Sequence, residues 1–200
     1  MNYLAHVYLS GDDKELRIGN FIADSVRGKN FKMFPRRVSD GIILHRKIDT
    51  YTDSHPIVSQ SKEIIRPKYG LWSSVIIDLF YDHFLAAQWS EYNEMQLLPF
   101  TENFYADLKE YYAVLPSKVQ RFLPIMIEYN WLYSYRTVEG MSRILHQMNK
   151  RTRGKSKMQF AAIDLEKHYN VLQSHFDQYM AELEEYVSHQ KESLTNMDRL

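Results

Sequence analysis

The chain has 200 residues, with 25 basic side chains, 25 acidic side chains and no cysteine. The absence of cysteine excludes disulfides, thiolate catalysis and zinc sites built on cysteine. A net charge of zero argues against a nucleic-acid-binding protein, and 15 Tyr, 10 Phe and 3 Trp argue against a disordered one. At this length one domain, residues 1–200, is favoured over two.

The N-terminal sequence lacks the early positive cluster and the apolar length of a signal peptide, and no window approaches the roughly 20 apolar residues that span a bilayer. We therefore expect a cytoplasmic protein without a membrane partner. The net charge is +4 in residues 1–70, −5 in 71–135, +6 in 136–157 and −5 in 158–200. If the two basic segments meet beside acidic side chains, they favour an anionic substrate.

Apolar residues at helical spacing account for most of the chain, and no alternating run indicates a strand. Asp12 and Ser117 are predicted N-caps, since Glu15 and Gln120 follow them by three positions. Pro124 predicts a kink or an early split in its helix. The fold class is therefore all-α, a single compact multi-helix domain. The predicted helices, about eight, cover about residues 14–27, 35–52, 56–66, 71–89, 99–114, 117–133, 139–148 and 160–188.

The most apolar stretch, residues 76–87, contains Asp78, Asp82 and His83. A carboxylate among isoleucines, leucines and phenylalanines is costly unless it is paired, hydrogen-bonded or bound to a cation. Asp78 and Asp82 are one helical turn apart, so they share a face. We therefore expect partners for these three side chains from elsewhere in the chain.

Two other segments can supply such partners. In the second predicted helix His45, Asp49 and Asp53 recur every four residues and stack along one face. Asp24, late in the first helix, is a third contributor. Facing helices with carboxylates and imidazoles commonly hold a divalent cation, which predicts a metal-dependent enzyme. The alternative, above all for Asp49 and Asp53, is an ordinary solvated surface.

Four short motifs follow one another in the first 90 residues: MNYLAH at 1–6, GNFIAD at 19–24, HRKID at 45–49 and DHFL at 82–85. Together they resemble the bacterial acyl carrier protein phosphodiesterase family, with a weaker likeness in 131–153. The resemblance implies hydrolysis of the phosphodiester between 4′-phosphopantetheine and a serine of holo acyl carrier protein, the carrier of fatty acid biosynthesis. It implies a metal-dependent reaction, usually supported by Mn²⁺ with Mg²⁺ as the alternative.

The family is regarded as a distant relative of the all-helical HD phosphohydrolases, so an HD-phosphohydrolase-like fold is also implied. The chain contains no His-Asp dipeptide, however, and residues 82 and 83 have the reverse order. The HD ligand scheme therefore cannot be copied onto this sequence.

Under this resemblance we assign roles to the polar residues of the motifs. The expected metal ligands are Asp24, His45, Asp49 and Asp82, with Asp78 as a further ligand or support. The expected catalytic residues are Asp24, His83 and His6, the last as the acid for the departing serine oxygen or as a ligand. The expected phosphate-binding residues are Arg27, Arg46, Arg143 and Arg151. Because acyl carrier proteins are acidic, the basic segment 136–157 is the expected docking face, weakened by salt.

Two other functions fit the same residues. A metal-dependent phosphohydrolase acting on a nucleotide, for example an alarmone, would use the same acidic residues and arginines. A non-catalytic helical protein would bind an acidic partner through the basic segments and pair its carboxylates with arginines. Comparing hydrolysis of holo carrier protein with hydrolysis of a nucleotide panel tests the first alternative. Metal analysis of the purified protein tests the second.

Overall fold

The structure, a computed structural model, describes residues 2–196 and the side chains of residues 2–194. Over this range the chain is helical and contains no strand, which confirms the all-α prediction. The α-helices are α1 (Tyr3–Leu9), α2 (Lys14–Ile22), α3 (Arg36–Ser54), α4 (Pro56–Tyr69), α5 (Ser73–Ala87), α6 (Trp89–Tyr92), α7 (Leu97–Glu110), α8 (Ser117–Glu128), α9 (Trp131–Ser134), α10 (Val138–Arg151), α11 (Ala161–Lys167) and α12 (Tyr169–Asn196). Short 3-10 helices cover Ala23–Ser25, Gly28–Met33, Gly70–Trp72, Tyr112–Val114 and Met158–Phe160.

The described chain has twelve α-helices and not the predicted eight, in part because several of the long predicted helices are divided into two. Between α8 and α9, Asn130 adopts the left-handed conformation (φ 39°), and its side chain accepts a hydrogen bond from the Tyr133 amide. The division therefore falls after Pro124, which stays inside α8. The last predicted helix is divided at His168, between α11 and α12.

Several predicted boundaries are wrong. The helices predicted to end at residues 27 and 114 end at Ile22 and Glu110. The helix predicted to stop at residue 66 continues through Pro67 and ends before Gly70, whose φ of 55° suits a glycine. The N-cap of α2 is Asp13, whose carboxylate accepts from the Leu16 amide at 2.9 Å. Ser117 is the first residue of α8 and not its cap.

Helix α1 was not predicted, since its first turn is stabilised from another part of the chain. The Asn2 side chain accepts a hydrogen bond from the Tyr3 amide at 2.8 Å. The Asp82 carboxylate on α5 accepts from the Leu4 amide at 2.8 Å and the Ala5 amide at 3.2 Å. These are the N–H groups that a helix start leaves unpaired, and a negative charge there is favourable. A cap that comes from residue 82 has no local sequence signature.

Helix α5 lies at the centre of the molecule. Helices α1, α4, α10 and α12 pack around it, and most of its side chains are buried. This burial explains why the stretch is the most apolar of the chain. Within the part of the chain that the structure describes, none of the helices is long and apolar enough to cross a membrane.

Helices α2 and α3 touch through their backbones at Gly19 and Gly41. A Cβ atom on Gly19 would lie 2.0 Å from the Val38 carbonyl oxygen, and one on Gly41 would lie 2.3 Å from the Leu16 carbonyl oxygen. Both positions therefore require glycine. The close approach brings the end of α2 against the middle of α3, where His45 and Asp49 lie.

Candidate metal centre

Two histidines and two aspartates form one group, which comes from α1, α3 and the 3-10 helix after α2. We name it the His–Asp cluster: His6, Asp24, His45 and Asp49. One ligand atom each from His6, His45 and Asp49 lies within 4.8 Å of the others. Asp49 reaches both histidines, with Oδ1 3.2 Å from His6 Nε2 and Oδ2 3.0 Å from His45 Nε2. The two imidazole rings are stacked, with centroids 3.9 Å apart.

Asp24 completes the cluster on its solvent side. It lies in the 3-10 helix that follows α2, and its Oδ1 is 3.3 Å from His45 Nε2. The Asp24 side chain is 63 % exposed, whereas His6 is 1 % exposed and His45 5 %. The two imidazoles of the cluster are therefore buried, whereas the Asp24 carboxylate is accessible to solvent or to a substrate.

Asn20 fixes the orientation of His45. The Asn20 amide nitrogen donates to the His6 carbonyl oxygen at 2.9 Å and to Ser10 Oγ at 3.0 Å, so its Oδ1 faces His45 Nδ1 at 3.2 Å. Nδ1 must then carry the proton and donate to that oxygen. When His45 is neutral, its Nε2 lone pair points to the two carboxylates, as a metal ligand requires.

The charges of the cluster are strongly coupled. Burial alone would lower the pKa of His45, but hydrogen bonds to Asp24 and Asp49 outweigh it and raise the pKa to about 9. Burial, together with neighbouring His45, lowers the pKa of His6 to about 4, although Asp49 opposes this shift. Hydrogen bonding from His45 lowers the pKa of Asp24, and the two histidines lower the pKa of Asp49 against its burial. At neutral pH both carboxylates are ionised and His6 is neutral.

A divalent cation fits this donor set. Neither ring nitrogen of His6 has a hydrogen-bond partner among the described residues, although both are buried. The 3.2 Å approach of Asp49 to His6 Nε2 is therefore a close contact without hydrogen-bond geometry. A neutral imidazole nitrogen this close to an ionised carboxylate is unfavourable without a proton or a cation to share. Mixed imidazole and carboxylate donors suit Mn²⁺ or Zn²⁺ better than Mg²⁺, which prefers oxygen ligands.

Asp82 and His83, both predicted site residues, have backbone partners in the structure. The Asp82 carboxylate caps α1, as described above, and burial raises its pKa to about 7 although the two N–H groups oppose the shift. His83 Nδ1 lies 2.7 Å from the Tyr135 carbonyl oxygen and Nε2 lies 3.2 Å from the Tyr169 hydroxyl. Both ring nitrogens are used, so this geometry favours a structural role for the pair.

Asp78 lines a cavity, unlike Asp82, whose carboxylate caps α1. The cavity has a volume of about 220 Å³ and is also lined by Asp24 and Arg151. Burial raises the pKa of Asp78. The predicted residues Asp24, Asp78 and Arg151 are thus brought together around one space, which reaches the His–Asp cluster through Asp24.

The other predicted arginines do not line this cavity. Arg46 donates to the Val26 carbonyl oxygen at 3.0 Å and packs over the Phe31 ring. Arg27 is exposed and lines a separate groove, and Arg143 is exposed on α10. Asp53, which shares the predicted face of His45, is 3.0 Å from the Lys62 ammonium and away from the cluster.

Comparison with known proteins shows the family of this chain. A family model described as acyl carrier protein phosphodiesterase matches residues 1–183. The chain belongs to the acyl carrier protein phosphodiesterase family. A relative of that name from Enterobacter sp. (strain 638) is 34 % identical over 184 residues, which are 90 % of this chain and 93 % of the relative. One from Escherichia coli O6:H1 is 32 % identical over 192 residues, or 94 % and 98 % of the two chains.

No solved structure matches this member of the acyl carrier protein phosphodiesterase family. The expected likeness to HD phosphohydrolases therefore stays a prediction. The family assignment itself is confirmed, and the matched residues 1–183 include all four motifs that carried the resemblance.

Sequence reasoning assigned no role to Asn20, although it lies within the quoted GNFIAD motif. The sequence signal that could have found it is a polar residue in an apolar segment: Asn20 lies close to Ile18, Phe21 and Ile22. In the structure its side chain is fully buried. A buried amide needs hydrogen-bond partners, which makes such a residue a candidate for orienting its neighbours.

Proposed function

We propose that this protein hydrolyses the phosphodiester that joins 4′-phosphopantetheine to a serine of holo acyl carrier protein, with a divalent cation as cofactor. The observation that carries the proposal is the His–Asp cluster, in which His6, His45 and Asp49 converge beside an exposed Asp24. Membership of the acyl carrier protein phosphodiesterase family supplies the substrate.

The residues that would hold the cation are His6, His45 and Asp49, with Asp24 at its open side. When bound, a divalent cation lowers the pKa of water and offsets the charge that develops on phosphoryl oxygens. Mn²⁺ is the proposed metal, with Mg²⁺ as the alternative. His6 fits a ligand role better than the predicted acid role. With a pKa of about 4 its ring is neutral at neutral pH, so there is no imidazolium to act as the acid.

Asp24, Asp78 and Arg151 have complementary roles around the cavity they share. Asp24 is ionised and exposed, so it can accept a proton from the attacking water. Arg151 can hold two phosphate oxygens through its guanidinium group. Asp78, whose pKa burial raises, is the proton donor to the departing serine oxygen.

The basic segment 136–157 provides the docking face for the carrier protein. It contains seven Lys and Arg against one acidic residue, a net charge of +6. Most of it forms α10, whose last residue, Arg151, lines the cavity. An acidic carrier protein attracted to this segment would thus bring its phosphodiester to the cluster.

Mass spectrometry of holo carrier protein incubated with the enzyme and Mn²⁺ tests the function. We expect loss of the whole 4′-phosphopantetheine group, no loss in excess chelator, and slower loss at high salt. A nucleotide panel incubated in parallel tests the alternative. Intact holo carrier protein together with hydrolysis of a nucleotide would reject the proposed substrate.

A further inference from the structure

The cavity that Asp24 shares with Arg151 has a mixed lining that its catalytic residues do not explain. We name it the α10 cavity, because Ile144, Gln147, Met148 and Arg151 of α10 form one wall. These positions recur every three or four residues and therefore share one helix face. Its volume of about 220 Å³ is far more than a phosphate group and a water molecule need.

We propose that the α10 cavity binds the pantetheine arm of the substrate, a proposal that rests on the proposed function. The arm alternates dimethyl and methylene groups with two amides and begins at the phosphate. The cavity offers both kinds of contact, with Val75, Ile144 and Met148 as apolar residues and Gln147 as a polar one. Asp24 connects this space to the His–Asp cluster. With the scissile phosphate at the cluster, the arm extends along α10.

Trp131 supplies a specific contact for the arm. Its ring lines the cavity and is held in place by Phe122, stacked at 5.9 Å, and by the Arg151 guanidinium, 5.6 Å from the ring centroid. Its indole N–H is buried and has no hydrogen-bond partner among the described residues. Buried donors normally have an acceptor. An amide carbonyl of the arm is an acceptor of the required kind.

Titration of pantetheine, which lacks the phosphate, into the full-length protein tests the arm site apart from catalysis. Ile144→Trp fills the cavity, and we expect it to weaken binding by at least about 10-fold, since the wall residue then occupies the ligand's space. Trp131→Phe keeps an aromatic wall but removes the donor, and we expect binding weaker by about 3- to 10-fold. Ile163→Trp makes the same exchange at an exposed site on α11 and should bind as the wild type does.

The results separate the arm site from the proposed function. Wild-type protein that releases the arm from holo carrier protein, together with folded Ile144→Trp and Trp131→Phe proteins that bind pantetheine like the wild type, would overturn the arm site alone. If Ile144→Trp does not fold, as judged by circular dichroism, unchanged binding by Trp131→Phe overturns the proposed Trp131 contact. Saturable pantetheine binding that Trp131→Phe weakens, with no release from holo carrier protein, would support the arm site and reject the hydrolase.

Discussion

The His–Asp cluster and the neighbouring residues Asp82 and His83 both combine aspartate with buried histidine, and they differ in the partners of these side chains. Around Asp82 and His83 on α5, the partners are mainly backbone groups: two amides of α1 and the Tyr135 carbonyl oxygen. In the His–Asp cluster the histidines face carboxylates, and neither ring nitrogen of His6 has a hydrogen-bond partner among the described residues.

The difference shows that burial of a polar side chain is not by itself a sign of function. A buried carboxylate that accepts two backbone N–H groups is already stabilised and has no need of a ligand. The buried His6 ring, stacked on His45 and close to the ionised Asp49, has no such partner among the described residues. This difference is why we propose the cluster, and not Asp82 and His83, as the cation site.

The largest effect is expected from a histidine-to-glutamine substitution in the His–Asp cluster, with the same substitution at His83 as its control. His6→Gln removes an imidazole ligand, and we expect loss of bound metal and a fall in activity of about 10²–10³-fold or more. His83→Gln removes hydrogen bonds to Tyr135 and Tyr169, so it should lower stability but leave the metal content unchanged. Metal analysis of both purified variants decides. Loss of metal in His83→Gln alone would reverse the two assignments.

A smaller effect is expected from the residue that orients His45. Asn20→Leu removes the acceptor of the His45 Nδ1 proton, and we expect Mn²⁺ affinity to fall by about 10–100-fold. Asn149→Leu is the matched control, since Asn149 is also a buried amide and its Oδ1 accepts from Ser156. The control should lose stability without losing affinity. Equal affinities in both variants, measured by calorimetry, would show that Asn20 does not position the ligand.

On the α5 side, Asp82→Asn should cost stability and nothing else. Asparagine has one acceptor oxygen where the carboxylate has two, so either the Leu4 or the Ala5 amide is left without its partner. We expect the free energy of unfolding to fall by about 1–3 kcal/mol. Asp177→Asn, at an exposed carboxylate whose hydrogen bond from Gln88 an asparagine oxygen can also accept, should change it by less than about 0.5 kcal/mol. Urea unfolding measures both, and an Asp82→Asn protein that is stable but metal-free would reject the structural role.

The smallest expected effect is the dependence of metal binding on pH. In the metal-free protein the pKa of His45 is raised to about 9, so it is protonated at pH 7, whereas His6 and both carboxylates are not. Metal binding must then release one proton, and affinity should rise by about tenfold per pH unit up to about pH 9 and level off above it. Calorimetry at pH 7.5 in two buffers of different ionisation enthalpy counts the proton. A count of zero would mean that the metal does not displace a proton from His45.

The sequence was sufficient for the features that local pattern determines. The all-α class followed from apolar spacing, and the second predicted helix, 35–52, agrees with α3 to within two residues at each end. His45 and Asp49 at an i, i+4 spacing on that helix do share a face and contact each other at 3.0 Å. Neither inference depends on residues distant in the chain.

Features that depend on distant partners could not be predicted. Helix α1 needs Asp82 as its cap, and without α1 the sequence gives no reason to place His6 beside His45. The same missing contact left Asp82 without a visible structural partner, which favoured it as a ligand. The division at Asn130 depends on a left-handed residue, which the helical spacing of its neighbours conceals.

The central claim is that His6, His45 and Asp49 bind the cation. Anomalous X-ray scattering from crystals grown with Mn²⁺ tests it most directly, because the signal locates the metal itself. We predict one peak at bonding distance from both histidines and from Asp49, with Asp24 at its open side. A peak between Asp78 and Asp82, with none at the His–Asp cluster, would contradict the account.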